Sequence, residues 1–263
     1  MSRASKLSES GPFQASQISP GSRYELSDGH AILCMPTGGR GSRSNLVGGA
    51  VLETDPAVDS AGVDTGFSPN PKILRAPDVA VGNVPDAPGW THVAPPLAVE
   101  YADSGQDEGD LQDRIRDLLA NGTRFVWVVR LVGPRRVEVY EPRGAMRVVL
   151  PGNDLLAPGV LQNPVRVEAL YDREAAHEAT LRNLLQRRGF ESLEAAREDA
   201  RAEGAIAGEI ATTRKLVRRL LARRGIALTS DHEARIEACA DLETLQRWHD
   251  EAAVAATADE ALR

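Results

Sequence analysis

Apolar and polar positions alternate with two different periods along this chain, and the change from one to the other divides it. Residues 23–33 (RYELSDGHAIL) alternate on both sides of Asp28-Gly29, a strong turn pair, and predict a β-hairpin. Residues 73–132 then read strand, loop, strand, helix, strand. Short apolar runs at 78–81 and 97–101 precede a helical spacing of apolar residues at 111, 115, 118 and 119. A β-branched and aromatic run at 124–131 suits a strand buried on both faces. Residues 135–140 alternate as a strand with one exposed face should, and 144–150 supply a further hairpin arm. From 172 onward the chain has no proline and is dominated by Ala, Leu, Arg and Glu, which predicts helices. Within it LRNLLQRRGF (181–190) is echoed by VRRLLARRGI (217–226), each a basic last turn stopped by a glycine. Asp241 is a candidate N-cap between helices at 230–240 and 242–256.

These patterns predict a mixed α/β body at 23–171, a loosely ordered Ser/Gly/Pro-rich segment at 1–22, and a helical appendage at 172–263. Two stretches of the body lack periodicity. Residues 37–43 (TGGRGSR) are glycine-rich and cationic but lack phosphate-loop spacing; they read as a surface loop whose Arg40 and Arg43 could face a polyanion, with a helix from Ser44. Residues 55–71 are acidic and broken by Pro and Gly. They miss the twelve-residue calcium-loop spacing and read as a solvated loop with a short strand.

Composition narrows the function. The chain has 263 residues, 42% apolar and 26% charged, with a net charge of −7. No whole-protein basic field draws it to nucleic acid, so such attraction would come from local patches. Cys34 and Cys239 are far apart and outside any CxxC or Cys/His spacing, which argues against a zinc site or disulfide framework. The first 22 residues lack the apolar core of a signal peptide and no apolar run approaches a membrane span. A cytoplasmic protein with no membrane partner is expected.

Three acids stand where strands begin, turn or end: Glu25, Asp78 and Glu100. Hard carboxylate oxygens hold Mg²⁺ while leaving waters bound, and the ion can then activate water and polarise a phosphoryl group. Acids at strand ends are also commonly just solvated. His30, His92, Ser104 and Gln106 are further polar candidates by position alone, whereas Trp127 reads as core. The tail cluster Arg214, Lys215, Arg218, Arg219, Arg223 and Arg224 reads either as a phosphate grip or as a solvated helix face balanced by nearby acids.

The succession RYELSDGH, RAPDVAV, PLAVEYADSGQDEGDL and GTRFVWVVR…RRVEVY resembles the Uma family of restriction-endonuclease-like domains, a bacterial group assigned to the PD-(D/E)xK nucleases. The resemblance covers roughly residues 22–170. It implies a central mixed sheet flanked by helices and a metal site at one edge, with Asp78 and Glu100 as metal carboxylates and Glu25 as the first-hairpin glutamate. In that family the catalytic lysine has moved to the following helix, where this chain has Arg114. Ala102 occupies the strand position of the more usual lysine, and the three lysines, Lys6, Lys72 and Lys215, lie in no matching motif. An arginine can hold a phosphate but cannot release its proton near neutral pH. Arg114 could alternatively pair with Asp110 or Asp117 along its own helix.

The resemblance therefore implies an endonuclease dependent on Mg²⁺ (or Mn²⁺) that hydrolyses DNA by a metal-activated water, with Glu25, Asp78, Glu100 and Arg114 as its machinery. A homodimer through the helical tail is expected, because one site cuts one strand. The rival expectation is a catalytically inactive nuclease fold kept for DNA binding or assembly. The tail resembles helical segments attached to transposase-like nucleases.

Overall fold

The structure, a computed structural model, describes residues 11–105 and 107–263, so the expectations for residues 1–10 and for Gln106 lie outside the described residues. The chain forms two compact units, one running through Glu191 and the other Ser192–Arg263.

The first unit is built on a sheet whose order follows the sequence: β3-β4-β5-β6-β7-β8. A hairpin of β1 (Tyr24–Ser27) and β2 (His30–Leu33) comes first, followed by α1 (Gly39–Glu53). The sheet strands are β3 (Ala61–Val63), β4 (Val79–Val81), β5 (Leu97–Ala102), β6 (Phe125–Arg130), β7 (Arg136–Tyr140) and β8 (Arg147–Val149), with α2 (Glu108–Ala120) between β5 and β6. Every neighbouring pair is antiparallel except β5 and β6. A parallel pair needs a crossover, and α2 supplies it. The fold is thus the mixed α/β body that the strand patterns predict, with the central mixed sheet flanked by helices that the family resemblance implies.

Side-chain alternation on β5 distributes its neighbours. Leu97, Val99 and Tyr101 pack with Val51 and Leu52 of α1. Ala98 and Ala102 pack with Leu111, Ile115 and Leu118 of α2. Glu100 lies between those two alanines, on the α2 face. Helix α2 starts where Asp107 accepts from Asp110 N at 3.0 Å, and Glu108 and Asp110 suit the positive end of its dipole.

Three expectations change. Residues 11–22 are not loose: Phe13, Ala15 and Ile18 are buried with Leu26 and Leu74, and Ala15 N donates to Pro71 O at 2.7 Å. The glycine-rich segment is not all loop, because α1 begins at Gly39 and absorbs Arg40 and Arg43 into its first turns. The first unit also extends past 171. Helix α3 (Arg173–Arg187) packs on α1, where Arg187 donates to Thr54 O at 2.9 Å and Asp55 O at 2.8 Å and so satisfies carbonyls at the α1 C-terminus. A helical composition does not say which body a helix joins.

The second unit comprises α4 (Leu193–Arg223), α5 (Ser230–Ala238), α6 (Leu242–Glu251) and α7 (Ala258–Ala261). Val217, Leu221, Ile236, Leu245 and Trp248 form its core. Asp241 caps α6, accepting from Thr244 N at 3.0 Å. Gly189 and Gly225 follow α3 and α4 with φ of 87° and 73°, a conformation in which a Cβ would be strained. Among the described residues no helix is long and apolar enough to cross a membrane.

Candidate active site

Strand register brings the sequence-predicted acids together. Val79 pairs with Val99 and Ala80 with Ala98. Continuing that antiparallel ladder by one position sets Asp78 across from Glu100, on the same face. Asp78 Oδ2 accepts from Tyr101 N at 2.6 Å, which ties the two strand ends.

Arg114 joins them from α2. It is one turn on from Leu111, at the flank of the buried stripe, so its guanidinium reaches over the sheet. Nη1 donates to Glu100 Oε2 at 2.8 Å and Nη2 to Glu25 Oε1 at 3.1 Å. The pairing with Asp110 or Asp117 along its own helix does not occur. Asp117 instead accepts from Arg75 Nη2 at 2.6 Å and from Ser27 Oγ at 2.8 Å. Arg75 Nη1 donates in turn to Glu25 Oε2 at 3.2 Å. A continuous ionic chain results: Glu100, Arg114, Glu25, Arg75, Asp117. Arg75 and Glu25 are buried, and Arg75 is wholly so.

Sequence reasoning missed Arg75 and Asp64, and it placed Asp117 only as a partner of Arg114 along their own helix. Arg75 is presented by the segment that bridges to β1 at Leu26 and Leu74. Asp64 follows β3, and the pairing of Val63 with Val79 leads on to Asp64 beside Asp78. It has φ of 50°, unusual for a residue with a Cβ. Its only sequence signal was its place in an acidic stretch read as solvated loop. That reading also fails at Asp55, Phe67 and Ser68, which are buried.

Five carboxylates (Glu25, Asp64, Asp78, Glu100, Asp117) thus share two guanidiniums. Burial first, and that imbalance second, set the electrostatics. Burial, opposed by Arg114 and assisted by Asp78 and Glu25, pushes the Glu100 carboxyl up to about 8. Burial likewise pushes Asp78 up to about 6 against the pull of the Tyr101 amide and Arg114. Asp64 is raised by desolvation and then by the charge of Glu25. Cys34 sits beside Glu25, and desolvation with that charge pushes its thiol up to about 12, so it is no thiolate nucleophile at neutral pH.

Such a site suits an added cation. Glu100 Oε1 is buried with no hydrogen-bond partner among the described residues, an acceptor left open in a negative environment. Asp78 and Glu100 are hard oxygen donors. Among the described residues no three His, Cys, Asp or Glu side chains converge on one ion position. Mg²⁺ can be held by one or two carboxylates, with water and substrate oxygens completing its shell. The donor set fits the ion.

The other candidates stand apart. His30 is exposed at the hairpin turn, and His92 Nδ1 lies 2.8 Å from Ser68 O. Ser104 is exposed, its amide donating to Asp103 Oδ1 at 2.7 Å. Trp127 is fully buried core.

A family model described as "Uma2: Putative restriction endonuclease" matches residues 12–165. A solved structure, described as that of "a putative nuclease belonging to DUF820" from Anabaena variabilis, aligns at a TM-score of 0.50 and 17% identity. The alignment covers 63% of this chain and 99% of that one. At that identity the likeness carries the fold. No curated protein matches the chain.

Proposed function

The chain belongs to the Uma2 family of restriction-endonuclease-like proteins, and from that premise we propose that it is a metal-dependent endonuclease hydrolysing DNA phosphodiester bonds. The observation that carries the reading is the facing pair Asp78 and Glu100, with Glu100 Oε1 buried and unpartnered. These two carboxylates would hold Mg²⁺, with Mn²⁺ as a substitute. When bound, the ion would acidify an attacking water and polarise the phosphoryl group. Arg114 stands beside Glu100, where its fixed charge would balance negative charge gathering on the phosphoryl oxygens. Glu25 directs both oxygens to guanidiniums, so its part is to hold Arg114 in place. Two copies of one such site are required to cut both strands of a duplex, and we assign a homodimer to that task.

One observation favours a second reading, a nuclease fold retained for binding. The Arg114 guanidinium already neutralises Glu100 and cannot yield a proton. The discriminating assay incubates supercoiled and single-stranded DNA with Mg²⁺ or Mn²⁺, wild type beside Glu100→Ala. Metal-dependent cutting by wild type that the variant lacks is the expected result. Cutting that persists in Glu100→Ala would overturn the site. No cutting by wild type, with DNA still bound, would leave the second reading standing.

A further inference from the structure

On α4, Arg218 pairs with Glu233 and Glu237, and Arg214 with Glu237 and the Cys239 carbonyl. The first unit holds a different arrangement. On α1, Arg40, Arg43 and Val47 recur at helical spacing; on α3, Arg173, Ala176, His177 and Thr180 do the same. These two stripes line opposite sides of a groove of about 950 Å³ in the first unit. Arg135 and Tyr171 line it as well, the guanidinium lying 5.2 Å from the ring centroid.

Charge in this groove is only partly compensated. Arg40 is held by Asp103, just beyond β5. Arg43, Arg135 and Arg173 form no salt bridge among the described residues, and Arg135 Nη1 is buried without a hydrogen-bond partner. The nearby Asp172 is committed to the α3 N-terminus, accepting from Glu174 N and Ala175 N at 3.1 and 3.0 Å. Helix α1 begins at the groove with Gly38 as N-cap, no side-chain cap and no acid in its first turn, so its free amides add to the field. In a chain of net charge −7, this is a local electropositive concavity.

Its position relates it to the carboxylates. Asp103, which anchors Arg40, is three residues beyond Glu100. At ~3.3 Å per extended residue the two backbone positions are about 10 Å apart, about the rise of three phosphates along one DNA strand, with Glu100 on the α2 face of the sheet and the groove on the α1 face. Arg135 follows β6, which runs parallel to β5, so it lies at the same end of the sheet.

We propose that this groove is a second, non-catalytic site that binds the sugar-phosphate backbone of DNA a few nucleotides from the scissile bond. Arg43, Arg135 and Arg173 contact phosphates, and Arg40 is held in register by Asp103. The proposal rests on the reading of the chain as a DNA-cutting protein, and its test is independent of cutting. Binding of a labelled 20-base-pair duplex and of the matching single strand is measured by anisotropy in EDTA over a range of salt concentrations. Wild type, Arg43→Gln and the Arg43→Gln/Arg135→Gln double variant are compared. The double variant is expected to weaken binding about tenfold and to flatten the slope of log affinity against log salt by about 2. Exposed Arg43→Gln alone flattens it by about 1. Equal affinity and slope in wild type and both arginine variants would overturn the proposal, as would no binding by wild type. Full displacement of the duplex by an equimolar mononucleotide would also overturn it, marking a small-ligand pocket instead. None of these outcomes decides whether Asp78 and Glu100 cut.

Discussion

Arg114 donates to Glu100 at 2.8 Å and to Glu25 at 3.1 Å, so one guanidinium from α2 clamps a sheet carboxylate to a hairpin carboxylate. Lysine would offer a single ammonium on a shorter reach and could not grip both. It could, however, lose its proton when desolvated. Arg114→Lys is therefore expected to raise metal-dependent DNA cleavage by about tenfold or more if proton transfer limits the rate. Arg114→Met is expected to abolish it. Single-turnover cleavage of a labelled duplex measures both, and a lysine variant no faster than wild type would refute the proton-transfer account.

Burial of Glu100, assisted by the carboxylates around it, gives stability a pH slope. Its carboxyl is pushed from 4.5 up to about 8 by burial, so between those values the folded chain keeps a proton that the unfolded chain releases. The folded state then binds more protons, and stability declines as pH rises through that window. Asp78 adds the same slope from 3.8 up to about 6. Without metal, melting is expected to fall by several degrees from pH 6.5 to pH 9, since about 1 kcal/mol moves the Tm of a chain this size by about 2–4 °C. Saturating Mg²⁺ should restore it at pH 9 by taking the proton's place, and Glu100→Gln should flatten the slope. A wild-type Tm independent of pH over this range would contradict the charge account.

Arg75 is the buried joint of the ionic chain. Its side chain serves Glu25 and Asp117 at once; Arg75 and Glu25 are buried and Asp117 is partly so. Arg75→Met would leave Glu25 with Arg114 alone and Asp117 with Ser27 alone, at a cost of about 3–5 kcal/mol. Arg75→Lys should recover only part, because an ammonium cannot reproduce the planar fork. Urea denaturation measures this, and a loss below about 1 kcal/mol in the methionine variant would show that the pair contributes nothing net.

What the sequence discloses follows the range of the interactions. β5 and β6 are legible because they are continuous apolar runs, and α2 because Leu111, Ile115 and Leu118 repeat at helical spacing. Glu100 is conspicuous as an acid inside a buried strand. Asp64 is not, because β3 has only three residues and its neighbour Asp78 is known only once the register is known. Arg75 carries no local signal, since its partners are 50 and 42 residues away. Asp117 is visible as a helical neighbour of Arg114, yet helical spacing offers two flanks and tertiary packing chose the partner. The helix α3 likewise announces itself by composition, while its attachment to α1 depends on Asn183 and Arg187 finding the α1 carbonyls.

A pair of adjacent glycines on α1 tests how closely that helix must approach the strand carrying Glu100. A Cβ on Gly48 would overlap the Tyr101 hydroxyl and lie 3.0 Å from Leu170 O, the atom that hydroxyl donates to at 2.9 Å. A Cβ on Gly49 would meet only Val79 Cγ2 at 3.7 Å and Val63 Cγ1 at 3.9 Å, ordinary contacts. Both substitutions gain helix propensity, by up to about 1 kcal/mol. Gly49→Ala is therefore expected to be neutral or stabilising, whereas Gly48→Ala should lose about 1–3 kcal/mol through overpacking. Because the Tyr101 amide holds Asp78 at 2.6 Å, displacement of that strand residue should also weaken Mg²⁺ binding in Gly48→Ala and leave it intact in Gly49→Ala. Urea denaturation and Mg²⁺ titration calorimetry on the two variants check this. Matching stabilities would show that α1 does not set the spacing, and unchanged Mg²⁺ binding in Gly48→Ala would uncouple helix packing from the carboxylates.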